Sequence, residues 1–185
     1  MCSSDLPAVR HIAFTPDHRW LLVGGWKSPQ VALGSLPELR HHRNIADSDN
    51  AAFAFGNDGQ TALIGTPHVY RVLDTNGWNG THVLPRAESP SRLITSYVDL
   101  AGEAPLAVCQ WTHDSVRLLD VHAGEWLATI PVKVTTGLDQ LHLTADGSAL
   151  AIAGERHVVE WWDLRELNRE LVKFGLGWEM TDDRK

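Results

Sequence analysis

Leu141-His142-Leu143-Thr144-Ala145-Asp146-Gly147 alternates apolar and polar residues and then runs into a turn. A second apolar run, Leu150-Ala151-Ile152-Ala153, follows it, and a third, Val158-Val159-Glu160-Trp161-Trp162-Asp163, closes on an aspartate. Extended backbone sends successive side chains to opposite faces, so short runs of this kind separated by Asp and Gly read as antiparallel hairpins.

The same phrase recurs upstream. His11-Ile12-Ala13-Phe14-Thr15-Pro16-Asp17 and Ala52-Phe53-Ala54-Phe55-Gly56-Asn57-Asp58-Gly59 are copies, and Ser96-Tyr97-Val98-Asp99-Leu100-Ala101-Gly102-Glu103 is a degenerate one. Asp17 and Asp58 lie 41 residues apart, and Asp58 and Asp146 lie 88 apart, which is two steps of 44 with the degenerate copy between. After each turn comes a near-continuous apolar run: Leu21 to Gly24, Ala62 to Gly65, Leu106 to Cys109 and Leu150 to Ala153. Such runs suit strands buried on both faces. A third run ends in Asp74, Asp120 or Asp163, whereas its first counterpart, Val31 to Gly34, lacks the aspartate. A fourth, such as Trp126 to Ile130, follows the turn after it. Four strands per repeat of about forty-three residues predicts an all-β chain of radial blades rather than a helical solenoid. A β-sandwich is the rival arrangement, but a sandwich would not repeat.

The pattern, with Val116 to Glu125 and Leu141 to Leu164 as its best copies and Trp162-Asp163 as the namesake dipeptide, resembles the WD-repeat β-propeller family over essentially the whole chain. The C-terminal stretch, Trp162 to Leu171 followed by Phe174-Gly175-Leu176-Gly177-Trp178, is similar to the tail of certain bacterial WD-repeat proteins, many of which carry a serine/threonine kinase domain upstream. No kinase motif occurs in this sequence. The Gly-His dipeptide that precedes the inner strand in the family is absent from all four units. The resemblance implies WD-type repeats forming four blades over residues 1–163, at approximately 8–45, 51–90, 96–134 and 139–163, with a short C-terminal α-helix and tail over 164–185. Family members usually have more blades and lock the ring with strands from both termini, so an open arc or partial propeller is expected.

Asp17, Asp58, Asp74, Asp120, Asp146 and Asp163 are read as structural turn residues, since a short carboxylate accepts neighbouring backbone N–H groups; the first, second and fifth are expected to supply left-handed residues to two-residue hairpins. Asp163 with Glu166 reads as a helix capping box, and Gly175 as the stop. Leu164, Leu167, Leu171 and Phe174 form one apolar stripe predicted to pack on the last blade, whose missing outer strand the helix would cover.

A formal charge of −7 with scattered Lys and Arg disfavours nucleic acid as partner. No run of about 18 apolar residues predicts a membrane span. Two cysteines allow no disulfide framework, so a cytoplasmic setting is expected, and Cys109, in an apolar strand, reads as core. Among ten histidines only His41 and His42 are adjacent, and on a strand they point apart, so no metal site or cofactor is predicted. His113-Asp114 reads as a polar turn, and no catalytic residues are assigned. Of the eight tryptophans, Trp20, Trp111, Trp126, Trp161 and Trp162 are expected to pack between blades, leaving Trp26, Trp78 and Trp178 as candidate interaction surface. The function expected is a non-catalytic protein-interaction scaffold, whose unknown protein partner includes the case of itself as a homodimer completing a ring. A truncated product without independent function, and a propeller enzyme with a channel site, are the alternatives.

Overall fold

The computed structural model describes residues 9–25, 30–38, 42–46, 50–86, 96–133, 138–154 and 158–178. The described elements are fifteen strands and one helix: β1 (Val9–Phe14), β2 (Trp20–Gly25), β3 (Val31–Ser35), β4 (His42–Ala46), β5 (Ala52–Phe55), β6 (Thr61–Gly65), β7 (Val69–Asp74), β8 (Asn79–Pro85), β9 (Val98–Leu100), β10 (Leu106–Gln110), β11 (Ser115–Asp120), β12 (Glu125–Pro131), β13 (Leu138–Leu143), β14 (Ala149–Gly154), β15 (Val158–Asp163) and α1 (Leu164–Val172). They form four antiparallel sheets, each taking its strands in sequence order, as consecutive hairpins dictate; three have four strands and the last has three. The first strands β1, β5, β9 and β13 neighbour one another around an axis, and the sheets radiate from it as blades.

The register makes the blades comparable residue by residue. Trp20, Thr61, Leu106 and Ala149 pair with Ser35, Asp74, Asp120 and Asp163, fixing equivalent positions on the second and third strands of all four sheets. Because the strand period is two, alternate residues of each blade face the blade before it and the blade after it. The core is therefore a row of inter-blade clusters: Leu22, Val31 and Leu33 with Ala62, Ile64 and Leu73; then Leu63, Tyr70 and Val72 with Ala107, Cys109 and Leu119; then Val108, Val116 and Leu118 with Leu150, Ile152 and Trp162. Burial on both sides explains why the second strands read as continuous apolar runs.

The turns between first and second strands are longer than the two-residue hairpins expected. The positive φ falls on the residue after each aspartate, His18 (56°), Gly59 (66°) and Gly147 (70°), and not on the aspartate. The carboxylate instead accepts the N–H two residues on.

Asp163 caps α1, accepting from Glu166 N–H at 2.9 Å, but the Glu166 carboxylate pairs with Arg169 and does not reach back, so the box is half made. Gly175, at φ 73°, ends the helix, with Gly175 N–H on Val172 O and Leu176 N–H on Leu171 O, a Schellman closure. The predicted stripe is corrected at two places. Phe174 lies beyond the last helical turn and is exposed, whereas Asn168, which is not part of the stripe, is buried. Its amide is satisfied by backbone: Nδ2 donates to Trp178 O and Oδ1 accepts from Trp178 N–H, both at 2.8 Å. Leu164 and Leu167 pack with Trp162 and the outer strand of the third blade, so α1 leans toward that blade and leaves Val159 and Trp161 of β15 uncovered.

Candidate interaction surfaces

The six aspartates singled out in the sequence lie at turns or at the helix start, and each accepts at least one backbone N–H: Arg19 on Asp17, Gln60 on Asp58, Asn76 on Asp74, His122 and Ala123 on Asp120, Ser148 on Asp146 and Glu166 on Asp163. In the first and last blades a threonine completes the turn. Thr15 Oγ1 donates to Asp17 at 2.6 Å and accepts from Trp20 N–H, and Thr144 does the same for Asp146 at 2.7 Å and Ala149 N–H. These hydroxyls are the main cause holding both carboxyls at about 2. In the second blade Gly56 replaces the threonine, and a Cβ there would fall 2.9 Å from the Asp58 carboxylate.

The tryptophans are distributed differently from expectation. Trp26 lies outside the described residues. Trp78 is buried, not surface: it packs edge-on to Trp20 at 6.0 Å and Phe55 at 6.5 Å between the first two blades. It adopts φ 55° at the turn position where the third blade has Gly124 at φ 70°, so core burial holds a bulky residue in left-handed backbone. Trp178 is partly buried against the last cluster and tied to Asn168. Trp161, expected to pack between blades, is 65% exposed. Trp111 and Trp126 do pack between blades, with Tyr70 edge-on to Trp126 and the Arg117 guanidinium 4.1 Å above the Trp111 ring.

Most of the large exposed apolar side chains lie on the first and last blades or on α1 and the residues after it, with Val83 of β8 apart from them. On the last blade, Ala151, Val159 and Trp161 occupy the positions that bury Leu63, Tyr70 and Val72 in the second blade. On the first blade, Ile12 and Phe14 of β1 pair with Val23 and Leu21, as Phe53 and Phe55 of β5 pair with Ile64 and Ala62. Ile12 is 62% and Phe14 53% exposed.

Two further features concentrate polar or concave surface. An open cavity of about 370 Å³ lies between first strands, lined by His11, Phe53, Tyr97, Asp139, Gln140 and His142 among others. At its side His142 Nδ1 lies 3.4 Å from Asp99 Oδ2, and the same carboxylate oxygen accepts Leu143 N–H at 2.8 Å, linking the third and fourth blades. Burial raises the Asp99 carboxyl above its ordinary value, against those partners. This pair was not legible from spacing, because its members are 43 residues apart on two repeats. A second groove, about 300 Å³, runs between β12 and α1 and is mainly aliphatic, with Ile130, Trp162 and Leu167 in its lining. Cys109 is fully buried, and burial pushes its thiol up. Among the described residues no group of three or more His, Cys, Asp or Glu side chains is placed to hold a metal ion, and no helix is long and apolar enough to cross a membrane.

No family model matches the chain, and no curated protein matches its sequence. Solved structures do. The chain is similar to the WD40 repeats of RRP9, with TM-score 0.69 and 13% identity over 86% of this chain and 49% of that one. It is similar to U3-55K, with TM-score 0.68 and 13% identity over 86% and 50%. A third similar structure is hydrazine synthase from Kuenenia stuttgartiensis, with TM-score 0.67 and 14% identity over 88% and 48%. The fold is that of a WD40-repeat propeller.

The chain spans about half the length of each of these chains. Its four blades therefore superpose on part of a longer chain, and the first and last blade faces are the places where the WD40 arrangement continues in neither direction within the described residues.

Proposed function

We propose that this WD40 arc is a non-catalytic protein-interaction module that binds through the apolar faces at its two ends. The observation that carries the reading is the change of fate at equivalent positions: Val72 and Leu118 are sealed between blades, whereas Trp161 is 65% exposed. Large exposed apolar side chains gathered on one face favour association, and aromatic side chains there supply most of its energy. The net charge of −7 supports protein rather than nucleic acid as the partner class. The engagement of the turn aspartates with backbone N–H groups supports a structural use of the recurrent acids. The tail's resemblance to kinase-linked WD-repeat proteins supports a place as one module of a larger assembly.

A photo-crosslinking residue at position 161 or 14, with a control at Asn76 in a polar turn, tests the reading in extract of the source cells. Discrete protein adducts are expected at 161 and 14 and not at 76. Equal labelling at all three positions, or none at the two faces, overturns it. A cooperative thermal melt of the isolated chain separates this reading from that of a product with no stable fold of its own.

A further inference from the structure

The junctions inside the arc share a knob and a seat. In the first junction the Phe53 ring lies against Gly24, where a Cβ would come within 2.7 Å of Cζ. In the second, Val98 lies against Gly65, where a Cβ would come within 2.7 Å of Cγ1. Phe53 and Val98 are register equivalents, each pairing with the same position of the second strand in its own blade, Ile64 and Cys109. Gly24 and Gly65 are equivalents too, pairing with Val31 and Tyr70. A small residue on one blade thus receives a bulky inner-strand residue of the next. The third junction departs from this by placing Gln110 at the seat, with Leu141 as its buried knob.

Among the described residues one knob and one seat are unmatched. The first blade's knob is Ile12, which pairs with Val23 and is exposed. The last blade's seat is Ala153, which pairs with Val159 and is small, like Gly24 and Gly65. Beside the seat stands Ala151, where the other blades carry Leu22, Leu63 and Val108, and the larger Trp161 stands where they carry Leu33, Val72 and Leu118, so the small side chains gather at the seat and the aromatic one rims it. The unmatched halves of the repeated junction therefore sit on opposite ends of one chain and are complementary in size.

We propose that the partner of these faces is a second copy of the chain, joined head to tail, with Ile12 of each copy seated on Ala153 of the other. This rests on the interaction reading above and names its partner. Two such junctions related by a two-fold axis close a ring of eight blades, within the four to eight that propellers use. A heterologous contact that closes leaves neither of these two faces open.

The test is the mass of the 185-residue chain by sedimentation equilibrium over about 1 to 100 μM, a span that brackets Kd values typical of weak to moderate association. The expected mass is about 41 kDa, twice the 20.5 kDa of one chain. Ile12→Glu and Ala153→Glu should each raise the dimer Kd by about 100-fold or more, since each buries an unpaired charge in the junction. Their thermal melts at low concentration should match wild type; Val159→Glu, on an exposed side chain, replaces Ala153→Glu should the latter not fold. An equimolar mixture of the two variants keeps one intact junction and should recover a two-chain species. A wild-type mass of 20.5 kDa throughout overturns the proposal, as does a dimer that survives either single substitution, which would mean like faces pairing. A monomeric chain whose crosslinks at 161 and 14 capture another protein sinks this inference and leaves the interaction reading standing.

Discussion

Leu118 and Trp161 hold the same position, on the third strand of successive blades, and meet opposite surroundings: one is fully buried and the other largely open to water. The difference lies not in the repeat but in whether a further sheet follows. A blade is apolar on both sides because its neighbours cover both, so the repeat carries a requirement that a single unit cannot satisfy. Inside the arc that requirement is met by adjacent sequence, and on the first and last blades it is not met by the described residues.

The widest gap between the two positions should appear on truncation. Leu118→Ala removes a side chain packed in the cluster of the third and fourth blades and is expected to cost about 3 kcal/mol. Trp161→Ala, measured at a concentration where the chain is monomeric, should stay within about 0.5 kcal/mol despite deleting a larger group. Urea denaturation of both variants checks this; equal losses would mean that the last blade face is covered in solution even in the monomer.

A smaller contrast is expected at the seats. Gly65→Val would drive side-chain atoms into Val98 and the Ser96 carbonyl, which a Cβ would already approach to 2.7 and 2.9 Å, and should cost about 2 kcal/mol through overpacking. Ala153→Val on the uncovered seat should leave the monomer within about 0.5 kcal/mol of wild type. Shifts of the urea midpoint report both. A large loss for Ala153→Val would show that a seat needs to be small even without its knob.

The blades were legible because hairpin chemistry is local: alternation, Asp-Gly turns and a fixed spacing are all written within ten residues of one another. Thr144 and Asp146, two residues apart, belong to that class. What escaped the sequence depends on which face meets which sheet. Trp78 looked like surface because it sits in a turn, yet inter-blade packing draws it inward and holds it at positive φ. Trp161 looked like core because it sits near a strand end, where blades meet, yet the described residues leave it open. Asn168 lies off the apolar stripe by helical spacing, and it is buried because the returning tail offers it the backbone of Trp178. The Asp99–His142 pair needed two repeats to be brought side by side, which no spacing rule within one repeat encodes.

The finest test of the comparison between ends and interior uses turns that differ by one hydroxyl. Asp146 has Thr144 as donor, and its carboxyl is held at about 2 with that hydrogen bond as the chief cause. A carboxyl whose folded value is depressed below the unfolded one, near 3.9, binds protons less readily in the native state; the stability it contributes is complete above about pH 4 and is lost as pH falls toward 2. Thr144→Val removes the donor while keeping the shape, and should move the Asp146 titration, followed by carboxyl NMR, upward toward the ordinary carboxylate range. The accompanying loss of stability at neutral pH should stay below about 1 kcal/mol, because the carboxylate is 41% exposed and water screens what the hydroxyl supplies. In the same spectra Asp17, which keeps Thr15, should not move. An Asp146 titration that stays near 2 in Thr144→Val would shift the cause to Ser148 N–H and Arg165, the other groups on that carboxylate, and would make the threonine a backbone clamp for Ala149 alone.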